Sequence, residues 1–182
     1  MKLSRQISRL IEAAVSARKH AYCPYSRYPV GASVLTESGR IFAGSNVENA
    51  SYGLSLCAER VAIFNAVTRN QSGLKALCVV GSKAMPCGAC RQVMVEFANK
   101  DTELYLVDLN PRTRSQAITR TTVFKMLPSP FDPLASGLLP AHPQSLLRES
   151  PLPGRRKARR GTRSRKAMGT SSRRAASEEG KR

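Results

Sequence analysis

No uncharged apolar run in this 182-residue chain approaches the roughly 18–20 residues needed to cross a bilayer, which excludes an integral membrane protein of the helical kind. The N-terminus, MKLSRQISRLIEAAVSARKH, is broken by charge every few residues and lacks the continuous apolar stretch of a secretory signal. Its Ser and Arg content, with Glu12 as its one acid, leaves a mitochondrial transit peptide as the lesser alternative to a cytoplasmic address. Acidic residues are scarce, 12 against 30 Lys and Arg, and the imbalance is uneven. Residues 1–150 carry 18 basic and 10 acidic side chains, a net of +8, whereas residues 151–182 carry 12 and 2, a net of +10. Tryptophan is missing, and no aromatic residue follows Phe131, so the C-terminal extension has neither a core of its own nor a platform for base stacking. Five cysteines without an export signal point to a reducing compartment, where clustered thiols more often bind metal or do chemistry than form disulfides. The two histidines, His20 and His142, stand alone and enter no motif.

What is present over residues 1–135 reads as one α/β domain. Leu3, Ile7, Leu10, Ile11, Ala14 and Val15 recur at helical spacing and predict an amphipathic helix over 2–20. Val30–Thr36 and Arg40–Gly44, joined by Glu37-Ser38-Gly39, predict a hairpin. A second helix is expected from about Cys57 to Arg69. Lys75–Gly81 is almost continuously apolar, as a strand covered on both faces is. A third helix from about Gly88 to Ala98 and strands over Glu103–Asp108 and Ala117–Val123 complete the set. Helices alternating with strands predict a three-layer α/β/α sandwich around one mixed five-stranded sheet. Residues 136–182 change character, first Pro-, Ser- and Leu-rich, then almost wholly Arg, Lys, Ser, Gly, Ala and Thr. They are predicted to be a disordered basic tail, because they bury too little apolar surface to offset their ordering entropy.

Three cysteines fall into two short motifs, Cys57-Ala58-Glu59 and Pro86-Cys87-Gly88-Ala89-Cys90. Each sits where a loop is expected to become a helix, and free backbone N–H groups there favour the thiolate that zinc binds. The C-x-x-C spacing lets Cys87 and Cys90 reach one metal, with Cys57 as a third ligand. Three protein ligands leave a fourth tetrahedral position for water, the catalytic rather than the structural arrangement. Residues i and i+2 point about 200° apart around a helix. Cys57 and Glu59 therefore address one site only if the helix meets it end-on, and Glu59 is then free to handle protons. Arg60, at i+3 from Cys57, can donate to a thiolate and withdraw charge from the negative Zn²⁺–three-thiolate centre.

Around these motifs the sequence resembles the cytidine deaminase family, in its small homotetrameric, all-cysteine form. The likeness covers roughly residues 5–133. It rests on Ala21-Tyr-Cys-Pro-Tyr-Ser26, Pro29-Val-Gly-Ala32, Gly39-Arg-Ile-Phe42, Asn46-Val-Glu-Asn-Ala-Ser-Tyr52, Cys57-Ala-Glu-Arg60, Pro86-Cys-Gly-Ala-Cys-Arg-Gln92 and Leu127-Pro-Ser-Pro-Phe131. The resemblance implies one zinc per subunit on Cys57, Cys87 and Cys90, with zinc-activated hydroxide attacking C4 of the pyrimidine and Glu59 as proton shuttle. It implies cytidine or deoxycytidine as substrate, uridine or deoxyuridine plus ammonia as products, and a place in pyrimidine salvage. It assigns Asn46 and Glu48 to the ribose 3′-hydroxyl, Tyr28 and Val30 to the walls of the base pocket, and the Ala58 backbone to the base. Arg60 matches the arginine that bonds the zinc thiolates. Phe131 matches an aromatic that reaches into a neighbouring subunit's site, which implies a homotetramer.

Two departures stand out. Val80–Pro86 is a few residues shorter than the family pattern, and Tyr28 replaces the usual Phe with a hydroxyl that needs a partner. Cys23 and Cys78 read as spectators. Three alternatives compete with the nucleoside reading: a polynucleotide substrate held non-specifically by the basic tail, a nucleoside antibiotic, and a non-catalytic zinc-stabilised interaction module. The last is disfavoured by Glu59, which a purely structural zinc site does not need.

Overall fold

The computed structural model describes residues 3–83, 85–109, 116–139 and 143. Helix α1 spans Arg5–Arg18 and begins where the Ser4 side chain accepts the backbone N–H of Ile7 at 3.3 Å. It is shorter at both ends than the apolar stripe suggests, because the cap at Ser4 fixes its start and Lys19 closes its last turn. Strands β1 (Gly31–Thr36) and β2 (Ile41–Ser45) form the predicted hairpin. Its turn places Gly39 at φ +83°, where a side chain would be strained. A 3₁₀ turn over Tyr52–Leu54 leads to helix α2 (Ala58–Val67), strand β3 (Leu74–Gly81) and helix α3 (Gly88–Phe97). Strands β4 (Ala98–Leu109) and β5 (Gln116–Thr122) follow, with a 3₁₀ turn over Phe124–Met126.

The five strands make one mixed sheet in the order β2-β1-β3-β4-β5. Neighbours run antiparallel except β3 and β4, which are parallel. β3 is central and buried along almost its whole length, as its apolar run requires. Alternation along the strands sends side chains to two cores. Leu35, Ala76, Cys78, Val80, Tyr105 and Val107 pack under α1 with Ile7, Leu10, Ile11 and Ala14. Val34, Leu77, Val79, Leu104 and Leu106 pack on the other face with Ala62, Ile63 and Ala66 of α2 and Met94 and Val95 of α3. The expected three-layer sandwich is therefore realised with α1 on one face and α2 and α3 on the other.

Two glycines let the helices approach the hairpin closely. A Cβ at Gly31 would lie 2.1 Å from the Ala14 carbonyl oxygen, and one at Gly44 would lie 2.6 Å from the Ala62 nitrogen. Strand β4 starts earlier than its apolar pattern suggests. Ala98 pairs with Leu74 before the register shifts, and Thr102 spans the irregularity by donating its hydroxyl to the Leu74 carbonyl at 2.8 Å. Beyond Phe131, the backbone turns over Asp132–Leu138 through bonds such as Ser136 N–H to Asp132 C=O at 3.0 Å. Of the tail expected to be disordered, 136–182, only 136–139 and 143 are among the described residues; the rest, the basic stretch 155–182 included, lies outside them. No helix among the described residues is long and apolar enough to cross a membrane.

Candidate metal centre and cleft

Cys57 is the N-cap of α2 and Cys87 the N-cap of α3, both in extended backbone conformation, while Cys90 lies in the first turn of α3. Neither N-cap thiol accepts a capping bond from the backbone N–H groups of the helix it opens, so both sulfurs turn to other partners. Because α2 precedes β3 and α3 follows it, the two helix starts meet at the same end of the sheet. The three Sγ atoms lie within 4.8 Å of one another, with Cys57–Cys87 at 3.9 Å and Cys87–Cys90 at 3.5 Å. A tetrahedral zinc with bonds of about 2.3 Å spaces its sulfurs by roughly 3.8 Å, so the cluster already has the dimensions of a three-thiolate zinc site. Cys90 is fully buried, Cys57 is half-buried and Cys87 is exposed, so the cluster is open on the Cys87 side.

That open side is a cavity of about 220 Å³. Tyr28, Val30, Asn46, Glu48, Cys57, Ala58, Glu59 and Cys87 all line it, so most of the residues singled out in the sequence converge on one place. A second cavity of about 420 Å³, walled by Tyr25 and Tyr52, shares Ser26, Glu48 and Ser55 with the first. No Lys or Arg lines either cavity among the described residues. A larger cleft of about 570 Å³ lies at the start of α1, lined by Ser4, Glu37, Lys75, Asp101 and Glu103 among others, and contains no thiol.

Glu59 stands in the first turn of α2 and is 4% exposed. Burial pushes its carboxyl up to about 7, with the nearby Cys57 thiolate adding to the rise. The end-on approach inferred from the i, i+2 spacing is thus the one adopted. In the cluster, a hydrogen bond from the Cys90 thiol holds Cys57 down at about 5, and Cys90, as the donor, is raised. The Arg60 Nη2 lies 3.9 Å from Cys57 Sγ and 3.0 Å from the Ser55 carbonyl oxygen, and its Nε is buried without a partner. A guanidinium so placed faces the thiolates it was expected to neutralise.

Asn46 and Glu48 do more than line the cavity. The Asn46 Oδ1 accepts the Val30 N–H at 2.9 Å and its Nδ2 donates to the Tyr28 carbonyl at 3.0 Å, so its amide fixes the opposite wall. The Glu48 Oε2 accepts the N–H groups of Tyr25 and Ser26 at 2.9 and 3.2 Å, and its Oε1 accepts the Ser26 hydroxyl. The Ser26 hydroxyl holds the Glu48 carboxyl below its ordinary value. Their segment is pinned by Glu48 N–H to Tyr22 C=O at 2.8 Å and by the Val47–Leu56 pair of backbone bonds at 2.9 Å. The Ser26 hydroxyl went unnoticed in the sequence; its pairing with a residue 22 positions away has no local signal.

Phe131 is the site residue that this chain does not bring to the cleft. It is 61% exposed, and its carbonyl accepts the Gln92 Nε2 at 2.7 Å. Cys78 is buried under α1 and is pushed up to about 12 by desolvation, in keeping with its spectator reading. Cys23 lies in the loop after α1, outside the sulfur cluster.

Against known proteins, the family model for the cytidine and deoxycytidylate deaminase zinc-binding region matches residues 4–106. The cytidine deaminase of Sporosarcina psychrophila is 44% identical over 128 residues, covering 69% of this chain and 90% of the relative. That of Halalkalibacterium halodurans is 45% identical over 125 residues, covering 67% and 91%. The crystal structure of the cytidine deaminase from Burkholderia pseudomallei superposes with a TM-score of 0.64 at 41% identity, over 71% of this chain and all of that one.

Proposed function

The chain belongs to the cytidine and deoxycytidylate deaminase family, and from that premise we propose that it hydrolyses cytidine and deoxycytidine to uridine and deoxyuridine with release of ammonia. The observation that carries the reading is a buried carboxylate, Glu59, beside three convergent thiols at the floor of a small cavity. Cys57, Cys87 and Cys90 would hold zinc, which would supply the Lewis acidity that eases loss of a proton from water near neutral pH. Glu59 takes the proton of the attacking water and gives it to ring N3. It then takes the proton of the hydroxyl newly added at C4 and passes it to the 4-amino group, so that the C4=O bond forms as the C4–N bond breaks and ammonia leaves. A carboxyl lifted to about 7 by burial can both hold and release a proton at that pH. Arg60 withdraws charge from the thiolates, and the free backbone N–H at the start of α2 lets Ala58 meet the base.

Tyr28 and Val30 form the base walls, and Asn46 and Glu48 take the ribose 3′-hydroxyl through the acceptor and donor capacity left over from their internal bonds. A cavity of about 220 Å³ without a lining cation suits a single uncharged nucleoside rather than a nucleotide or polynucleotide. Phe131, exposed on this chain, is available to close the cleft of a neighbouring subunit in a homotetramer. The basic stretch 151–182 meets nucleic acid at most non-specifically, and the free thiols fit a cytoplasmic, reducing setting.

The experiment is to follow the cytosine absorbance band and ammonia release with cytidine, cytidine monophosphate and single-stranded RNA as substrates of zinc-quantified protein. Equimolar loss of the band and appearance of ammonia with cytidine alone is expected. Turnover of RNA but not of the nucleoside, or zinc-loaded protein inert toward all three, would reject the reading. Sizing by light scattering is expected to give four chains, and Phe131→Ala is expected to raise KM for cytidine while leaving zinc content unchanged.

A further inference from the structure

We propose that Tyr28 is a positioning residue for the zinc-bearing turn: its phenol hydroxyl ties the wall of the base cavity to the segment that delivers Cys87. The inference rests on the zinc-site reading above and adds a residue through which pocket and metal are mechanically joined. The Tyr28 hydroxyl donates to the carbonyl oxygen of Ser82 at 2.5 Å, a partner 54 positions along the chain. Ser82 is the first residue after β3, and the chain from there to Cys87 is short.

Among the described residues, three side-chain bonds restrain that connection. Ser82 C=O is held by Tyr28, Lys83 N–H donates to the Asp108 Oδ1 at 2.7 Å, and Pro86 C=O accepts the Arg91 Nε at 2.8 Å. Lys83 has φ +54°, a conformation that a residue with a side chain holds only under external restraint. Asp108 lies on β4 and Arg91 on α3, so two of the three restraints come from the scaffold. The Tyr28 bond alone comes from a residue that lines the cavity.

Tyr28 is itself held at both ends of its peptide unit. Its N–H donates to Ser26 Oγ at 3.1 Å and its C=O accepts the Asn46 Nδ2 at 3.0 Å. A continuous chain of hydrogen bonds therefore runs from Glu48 through Ser26 and Tyr28 to Ser82, five positions before Cys87 in the sequence. Removing the hydroxyl hands the half-exposed Ser82 carbonyl to water, at little cost to folding, and frees the connection to shift, whereas the ring remains to wall the pocket.

The test compares zinc-loaded wild type, Tyr28→Phe and, as a control, Tyr105→Phe. The control deletes a hydroxyl that bonds Glu103 at 2.6 Å on the opposite face of the sheet. Zinc release into excess chelator is expected to be about tenfold faster in Tyr28→Phe and unchanged in Tyr105→Phe, the size of effect found when partners behind metal ligands are lost. The Tm of the metal-free protein is expected to stay at the wild-type value. Equal release rates in wild type and Tyr28→Phe overturn this inference alone. Faster release with a matching loss of metal-free Tm overturns it in favour of a general folding role. Wild-type protein that holds no zinc overturns both this inference and the functional reading.

Discussion

The two faces of the sheet are made by the same five strands, yet they are put to different uses. Under α1, the core is closed: Leu10 and Ala14 are fully buried against Val80 and Val107, and the cysteine that points there, Cys78, is pushed up to about 12 by desolvation. On the other side, α2 and α3 end-cap the sheet with two helix starts, and the cysteine at the first of them is held at about 5. The same side chain is an inert filler in one place and a readily ionised thiol of the candidate metal centre in the other. What separates them is the surroundings: continuous hydrocarbon in the first case, a thiol donor and a guanidinium in the second.

The largest contrast to break is chemical. Glu59→Gln is expected to keep one zinc per chain and to lose about 10²–10⁴-fold or more in kcat. Metal analysis together with cytidine turnover checks this, and near-normal turnover would remove Glu59 from the proton path. Next comes the metal itself. Cys90→Ala is expected to abolish zinc retention on gel filtration, whereas Cys78→Ala keeps zinc and turnover and loses only about 1–2 kcal/mol of stability. Loss of zinc in both variants would mean that the faces are not independent.

A third change acts on the closed face. Leu10→Ala is expected to cost about 2–5 kcal/mol in denaturant unfolding, with kcat at 25 °C unaltered while the protein remains folded. A fall in kcat before any unfolding would show that packing under α1 is transmitted to the cleft. The smallest effect concerns Glu48. Its folded-state pKa lies below the ordinary 4.5, chiefly through the Ser26 hydroxyl, so the stabilisation is present above 4.5 and is lost as pH falls through the depressed value. The Tm gap between metal-free wild type and Ser26→Ala is therefore expected at neutral pH and should close on acidification. A gap that persists at low pH would assign the effect to packing.

Much of this was written in local pattern. The α1 stripe, the apolar run of β3 and the two cysteine motifs each report their environment through spacing of a few residues, and those elements were placed to within two or three positions. The early start of β4 was not legible, because Ala98–Thr102 is polar and is drawn into the sheet by a parallel partner and by the Thr102 hydroxyl. The partner of the Tyr28 hydroxyl was beyond reach for the same reason: Ser82 becomes its neighbour only once β1 and β3 are paired. Asn46 and Glu48 were legible as cavity residues but not as struts, since apart from the Ser26 hydroxyl their internal bonds go to backbone groups that carry no residue identity.

The missing side chain at Gly44 has a bearing on how this enzyme tolerates change. A methyl group there would press on the Ala62 nitrogen and on Val61 at 2.6 and 2.8 Å, and α2 is the rod whose first turn carries Cys57 and Glu59. A displacement of about 1 Å at the reacting groups is enough to cost roughly two orders of magnitude in rate. Mutational scans that score only ligand-touching positions would pass over Gly44, although it sets the distance between the rod and the sheet and so tunes the reaction from behind.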